Sequence, residues 1–468
     1  MAVSTEGSGV RPDTGEWALE TAVVVVGSGG CGLTAAIAAA QGGADVLVLE
    51  KHARPWSNTA RSGGMIPAAG SRFQRAAGIH ETPEDLAADI LRKNGSASDR
   101  ETTLHLARTA SHLVEWLVDE VGVALTFIAD FKYPGHREYR MHAPPSRTGA
   151  ALVADLRRAV DAHPRAEVIV GAPAVALVAD GDGTVRGVVV RRPEGEERVQ
   201  ARKVILASNG FAANREMLLR YCPAMVDALY FGGEGNSGEG IVWGMALGAG
   251  VRFMDAYQAH ASVATPHGIL ITYAVIPEGG IQVNREGRRF GNEASGYSEH
   301  ALGVLAQPGG VVWDVYDERL HRLALQFDDY RQAVEANAIH RGDTLEALAA
   351  ALGVPAAPLG ETLRAYHAAA DGGRADPFGR TDCRRLAPPY YGVKVTGALF
   401  HTQGGLTVDT DARVLRADGS AIPNLYAGGG VAAGLSGHGP GGYLSGNGLL
   451  TALGYGWLAG RHAARAIR

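Results

Sequence analysis

Residues 23–50 constrain the fold more than any other stretch of this chain. Val23 to Val26 are four consecutive valines, followed by Gly27-Ser28-Gly29-Gly30-Cys31-Gly32, an alanine-rich run and Asp45-Val-Leu-Val-Leu-Glu50. A short β-branched run bounded by glycine reads as a parallel strand buried on both faces. Gly27, Gly29 and Gly32 make G-x-G-x-x-G at a strand-to-helix turn. The first glycine permits the tight turn, the second lets a pyrophosphate approach the backbone, and the third lets helix pack on strand. The following helix presents its N-terminal N–H groups and positive dipole end to phosphate. A second strand, Val46 to Leu49, ends in Glu50, 18 residues past Gly32, where a carboxylate can accept from a ribose hydroxyl. Strand, glycine turn, helix, strand and acid in that order predict a dinucleotide site on a Rossmann-type α/β fold.

A chain of 468 residues has room for two or three domains with full cores. Thr82-Pro83-Glu84-Asp85 is a helix start, and residues 100–121 continue in helical period. Strands are expected around Val168, at Ala174–Val178 and Val185–Arg191, and around Val199, separated by glycine turns. Lys203 to Leu206 is a further buried strand that runs into Ser208-Asn209-Gly210, and 236–250 reads as a glycine turn opening a helix. From about 255 the character changes, with strands at 281–284 and 311–313 and mixed-charge helices at 343–352 and 358–370. After 390 glycine-rich strands return, and 446–467 is an apolar, glycine-spaced helix. The expected division is an α/β nucleotide-binding domain, 1–254 plus 390–468, interrupted by a smaller α+β substrate or cap domain, 255–389.

Net charge is −5 with no long basic run, so neither nucleic acid nor anionic membrane is an expected partner. Cys31, Cys222 and Cys383 form no C-x-x-C pair, which argues against a disulfide framework, a metal site, an iron–sulfur cluster and c-type haem. No apolar stretch reaches membrane-spanning length, and residues 1–20 are unlike a signal or transit peptide. A reducing, cytoplasmic compartment is expected.

Further motifs run the length of the chain: Ser62-Gly63-Gly64-Met65, Ala207-Ser208-Asn209-Gly210-Phe211, Ser237-Gly238-Glu239-Gly240, Ile281 to Glu293, Asp376-Pro-Phe-Gly-Arg380, His401-Thr-Gln-Gly404-Gly405 and Asn424-Leu-Tyr426-Ala427-Gly428. With these the chain resembles the flavoprotein family of fumarate reductases, succinate dehydrogenase flavoprotein subunits and 3-ketosteroid Δ1-dehydrogenases. The resemblance implies FAD where the glycine fingerprint alone leaves NAD open. It implies cofactor contacts at Gly27, Gly29, Gly30, Gly32, Glu50, Lys51, Asn58, Thr59, Ser62, Gly63 and Gly64. Further contacts are implied at Ala174, Ser208, Gly210, Gly238, Gly428, Gly429, Ser445 and Leu449. Gly429 stands where the family often has an acid on the ribityl chain. Members that attach FAD covalently carry His before Thr in the loop where this chain has Asn58-Thr59, so non-covalent FAD is implied.

The same resemblance frames the chemistry. Gln258-Ala259-His260 and His401-Thr402-Gln403-Gly404-Gly405 match the two carboxylate-binding histidine motifs of fumarate reductases. Their proton-donating and substrate arginines are replaced by Tyr297 and Tyr443; a phenol cannot grip a carboxylate bidentately. Ketosteroid Δ1-dehydrogenases have a basic tyrosine at the Tyr297 position. They hold the ketone oxygen at positions matched here by His438 and Gly442. The combination implies α,β-dehydrogenation of a small cyclic keto acid, 4-oxocyclohexanecarboxylate being the shape to try first. Tyr297 would act as base from a lowered pKa, and Gly442 N–H with His438 or Tyr443 would hold the oxygen. His260 and His401, whose charge adapts near neutral pH, would fix the carboxylate, and the flavin would accept hydride. Tyr133 is a candidate proton relay. The electron acceptor is external: oxygen, a quinone or a separate protein. Three other readings stay open. Arginine at 297 and 443 would favour a fumarate or enoate reductase. The two histidines and a cap short on aromatics argue against a large steroid pocket. Intact Asn292-Glu293, Tyr297 and His401 argue against a non-catalytic FAD-binding protein.

Overall fold

Val23, Val24 and Val25 have no exposed surface, and their strand, Leu19–Val26, lies in the middle of a nine-stranded sheet. The computed structural model describes residues 9–468, so the expectation for residues 1–20 lies partly outside it. Leu19–Val26 runs parallel to Val46–Leu49 on one side and to Gly195–Leu206 on the other. The pieces expected around Val199 and at Lys203–Leu206 are one strand. Its first half pairs antiparallel with Val185–Arg192 while its second half runs parallel to Leu19–Val26. Ala166–Ile169 and Ala421–Ala427 complete the parallel core.

Helix Gly30–Gln41 packs on the C-terminal helix Asn447–Arg465, and the glycine spacing of the latter is explained by that contact. A Cβ at Gly456 would lie 2.4 Å from the Cys31 carbonyl oxygen, and one at Gly460 2.3 Å from that of Ala35. The third glycine of the fingerprint answers to the same constraint: a Cβ at Gly32 would lie 1.9 Å from the Gly27 oxygen.

The second sheet has seven strands around Tyr390–Thr402. That strand pairs antiparallel with Tyr257–Ala264, Val311–Asp317 and Ile339–Gly342, and parallel with Leu229–Tyr230. The chain rejoins the first sheet at Arg413–Leu415 and Ala421–Ala427. Tyr257–Ala264, absent from the expected strands, is buried at every position. Gln258, His260 and Ser262 alternate with apolar residues, the period of a strand, but both faces are covered, so the polar set is buried as well.

The Asn292-Glu293 and Asp376…Arg380 motifs meet inside this second layer. Arg289 donates to Glu293 at 2.6 Å and pairs with Asp376, and Arg380 lies 3.7 Å from Glu293. All four side chains are buried. Glu293 also accepts the Gln282 N–H at 3.2 Å, and the Tyr273 hydroxyl donates to the Glu293 carbonyl at 2.7 Å. The network fixes the turn that delivers Tyr297. Among the described residues no helix is long and apolar enough to cross a membrane.

Candidate active site

A cleft extends from the glycine turn to the second sheet and is lined by both layers. At its nucleotide end stand Gly27, Gly29 and Gly30, with Glu50, Lys51, Ala174 and Ser208. Glu50 is held by its neighbours: Oε2 accepts from the Ser28 N–H at 3.0 Å and the Ser28 hydroxyl at 2.7 Å, and Oε1 from the His52 N–H at 2.9 Å. Lys51 Nζ is engaged by Glu239 at 2.9 Å and Ser237 at 3.2 Å. The middle of the cleft is walled by Asn58, Thr59, Ser62 and Gly63 on one loop and by Gly429 and Leu449 opposite. Thr59 Oγ1 accepts the Gly30 N–H at 3.2 Å, tying this loop to the glycine turn. Asn58 clamps it to the other layer, donating to the Phe400 carbonyl at 3.0 Å and accepting the Gly233 N–H at 2.7 Å.

Gly32, Gly64, Gly210, Gly238, Gly428 and Ser445 lie behind the lining. Gly64 and Gly238 supply left-handed backbone, φ +67° and +83°. A Cβ at Gly210 would lie 2.1 Å from Thr402 Oγ1, and one at Gly428 2.6 Å from Cys31 Sγ.

The fit to FAD is visible in polar atoms left unpaired. Ser208 Oγ, Glu239 Oε2 and both amide atoms of Asn447 are buried without a hydrogen-bond partner. Such atoms are costly; Ser208 and Glu239 line the cleft whose one end is a glycine turn, as a dinucleotide requires, and Asn447 lies directly behind it, between the lining residues Gly446 and Gly448. The glycine turn would hold the diphosphate and Glu50 the ribose. The Asn58–Gly63 loop and the start of helix Asn447–Arg465 would enclose the ring system. Asn447 is not among the expected contacts; its only sign in the sequence is a polar residue opening an apolar helix.

At the other end five side chains converge. Tyr297 opens helix Tyr297–Leu305 directly after Gly296, whose φ is +151°. Its ring centroid is 4.8 Å from that of His260, 6.0 Å from Tyr443, 6.1 Å from Tyr133 and 5.5 Å from Tyr273. His401 and Tyr443 meet over Gly448, where a Cβ would lie 3.0 Å from His401 Nε2 and 3.3 Å from the Tyr443 hydroxyl. Tyr297, Tyr443, His260, His401 and Tyr133 all line the cleft.

His438 does not. Its side chain is 69 % exposed, with Nδ1 2.9 Å from Asp255 Oδ1 and its ring edge-on to Phe253. Gly437 and Gly439, with φ +67° and +59°, flank it in a loop that carries it to the surface. Gly442 is buried behind the lining, where a Cβ would lie 1.9 Å from the Ser436 oxygen. Of the residues expected to hold the ketone oxygen, Tyr443 lines the cleft, whereas His438 and Gly442 do not.

The expectation that the two histidines change charge near neutral pH is also corrected. Burial pushes His260 down to about 3 and His401 to about 4, so both are neutral. Nδ1 of His260 accepts the Ser262 N–H at 3.1 Å, which leaves the proton on Nε2. Nδ1 of His401 lies 2.9 Å from the Gln403 amide nitrogen, and Gln403 Oε1 accepts the Ser436 hydroxyl at 2.8 Å. The lowered pKa expected of Tyr297 is corrected as well: burial, reinforced by Tyr443 and Tyr133, holds it well above the usual tyrosine range, and burial pushes Tyr443 up to about 12. Arg61, on the same loop as Asn58, also lines the cleft and is absent from the expected residues.

The FAD binding domain family matches residues 22–449. Over 452 residues, 95 % of this chain and 75 % of its relative, the sequence is 30 % identical to the probable fumarate reductase Ifc3 of Shewanella frigidimarina. It is 26 % identical to the 3-oxosteroid 1-dehydrogenase of Mycobacterium tuberculosis, covering 94 % of this chain and 98 % of that one. The fold superposes on the open conformation of a flavocytochrome c3 fumarate reductase with a TM-score of 0.80 and 30 % identity, over 96 % of this chain and 79 % of that one. On the 3-ketosteroid-Δ4-(5α)-dehydrogenase of Rhodococcus jostii RHA1 the TM-score is 0.73 at 26 % identity, over 97 % and 98 %. The glycine turn, the unpaired polar atoms around the cleft and these likenesses agree: the chain belongs to the FAD-binding-domain family, as an FAD-dependent oxidoreductase of the fumarate reductase and 3-ketosteroid dehydrogenase type.

Proposed function

We propose that this enzyme, which acts on CH–CH groups, dehydrogenates a small cyclic keto acid such as 4-oxocyclohexanecarboxylate at the bond α,β to the ketone. The observation that carries the reading is the meeting of two tyrosines, Tyr297 and Tyr443, with two neutral histidines at the cap end of the cleft. FAD, when bound, supplies the hydride acceptor. The Tyr443 hydroxyl and the His401 imidazole, adjacent over Gly448, polarise the ketone oxygen and stabilise the enolate as it forms. Tyr297 removes the α proton, and the Nε2–H of His260 bonds the carboxylate at the far side of Tyr297. Tyr133, edge-on to Tyr297, carries the proton onward. An external acceptor (oxygen, a quinone or a protein) takes the electrons.

One observation favours a second reading. Tyr297 is protonated in its resting form, which suits delivery of a proton to an enone or enoate in the reductive direction.

Anaerobic mixing with 4-oxocyclohexanecarboxylate, with a 3-ketosteroid and with succinate tests the proposal. Bleaching of the visible flavin band by the keto acid, lost in Tyr297→Phe, is expected. Bleaching by the steroid alone, or reoxidation of the reduced enzyme by fumarate with no bleaching by any donor, would overturn it.

A further inference from the structure

Among the described residues of the cleft wall, Arg61 is the one cationic side chain whose position calls for a partner the protein does not provide. Lys51 is paired with Glu239, and Glu50 is held by Ser28 and His52. Among the described residues Arg61 has no carboxylate within ion-pair distance and its guanidinium donates no hydrogen bond. Its Nε is buried and without a partner. The guanidinium lies over the Phe231 ring, 6.0 Å from its centroid, a contact that leaves its fork of donors unused.

The cleft wall orders the groups around it. Tyr443 and Tyr297 are 6.0 Å apart, Tyr297 and His260 4.8 Å, His260 and Phe400 5.3 Å, Phe400 and Phe231 4.8 Å, and Arg61 caps the Phe231 face. This wall is polar and neutral at the tyrosine end, apolar across the two phenylalanines, and cationic at Arg61. A keto acid presents its polar groups in the same order, ketone towards the tyrosines and anion towards Arg61. The loop that carries Arg61 is clamped before it, by Thr59 to the glycine turn and by Asn58 to Phe400, and after it, where the Ser62 carbonyl accepts the Gly149 N–H at 2.6 Å.

We propose that Arg61 is the anion receptor of the substrate site: it binds the substrate carboxylate beyond His260 and selects anionic over neutral ring substrates. The positive charge missing at positions 297 and 443 is supplied here from the loop after the first nucleotide-layer strands. The inference deepens the keto-acid reading and rests on it for the identity of the ring. The same oxyanion chemistry has a second source, a phosphate of FAD, and the test separates the two.

The FAD-loaded protein is titrated anaerobically with cyclohexanecarboxylate and with cyclohexanemethanol, which lack the ketone and cannot react, following the shift of the visible flavin band. FAD retention is measured by filtration. In the native protein the acid is expected to bind more tightly than the alcohol. Arg61→Gln is expected to weaken the acid by about tenfold or more, the worth of a charge-assisted hydrogen bond, with Arg61→Lys between the two. The alcohol should change little. Unchanged acid binding in Arg61→Gln overturns the proposal, and so does loss of FAD with acid binding unaltered in the fraction that retains it. Arg61-dependent acid binding in a protein whose flavin the keto acid does not bleach would remove the dehydrogenation reading and leave the anion receptor standing.

Discussion

Tyr297 sits in a buried cluster of rings, and the groups that influence its hydroxyl most are its own burial, Tyr443 and Tyr133. As a base it must act from a phenolate, a minor form at pH 7 whose population rises about tenfold per pH unit below its pKa. The dehydrogenation kcat/KM is therefore expected to climb with pH between 7 and 9; a flat or falling profile would take the base role from Tyr297. His260 and His401, lowered to about 3 and about 4, stay neutral across that range and should add no limb of their own between pH 6 and 9. Tyr443→Phe removes one donor to the developing enolate and should lower kcat about 10²-fold with a smaller effect on KM. An equal loss in His438→Ala, a surface residue paired with Asp255, would contradict the placement of the oxygen site.

At the level of elements, the turn before helix Tyr297–Leu305 depends on a buried four-residue ion network. Glu293→Gln leaves Arg289 and Arg380 short of a negative partner, and removal of one member of a buried pair costs about 3–5 kcal/mol. Thermal melting should register that loss, together with a fall in turnover because Tyr297 is displaced; full stability would mean the network is dispensable. The loop Ser57–Met65 carries a second expectation. Asn58 spends its amide on Phe400 and Gly233, and no nucleophilic side chain stands at that position. Acid or denaturant should release FAD from the polypeptide, as read by flavin absorbance in the filtrate; flavin that remains with the chain would show a covalent link. This loop illustrates what sequence can and cannot disclose. Its glycines and Asn58-Thr59 are legible as a cofactor motif, whereas Arg61 looks like any surface arginine until the fold sets it against Phe231.

The whole molecule stores neutral histidines in its interior. Burial lowers His136 and His260 to about 3, and His142, His300 and His401 to about 4. Below the ordinary histidine value of about 6.5 the unfolded chain takes up protons that the folded one refuses. Each such group therefore costs about 1.4 kcal/mol per pH unit as pH falls from 6.5 towards its folded value. Asp314 and Asp329, raised to about 7 and about 6, act in the opposite sense but are outnumbered. The melting temperature should be lower at pH 5 than at pH 7, and the reverse order would show that the interior is hydrated. Local order was sufficient to read the nucleotide layer: four valines, a spaced glycine turn and a terminal acid imply strand, turn and cofactor through contacts close in the chain. The family motifs marked Tyr297, His260 and His401 as candidate site residues, and all three line the cleft. Tertiary structure decided the rest, because it depended on pairing between distant segments. Strand Tyr390–Thr402 joins the second sheet, His438 is carried out to Asp255 while Tyr443 turns in, and burial makes both site histidines neutral. Burial and long-range pairing belong to the folded surface as a whole and leave no periodic mark on the residues they govern.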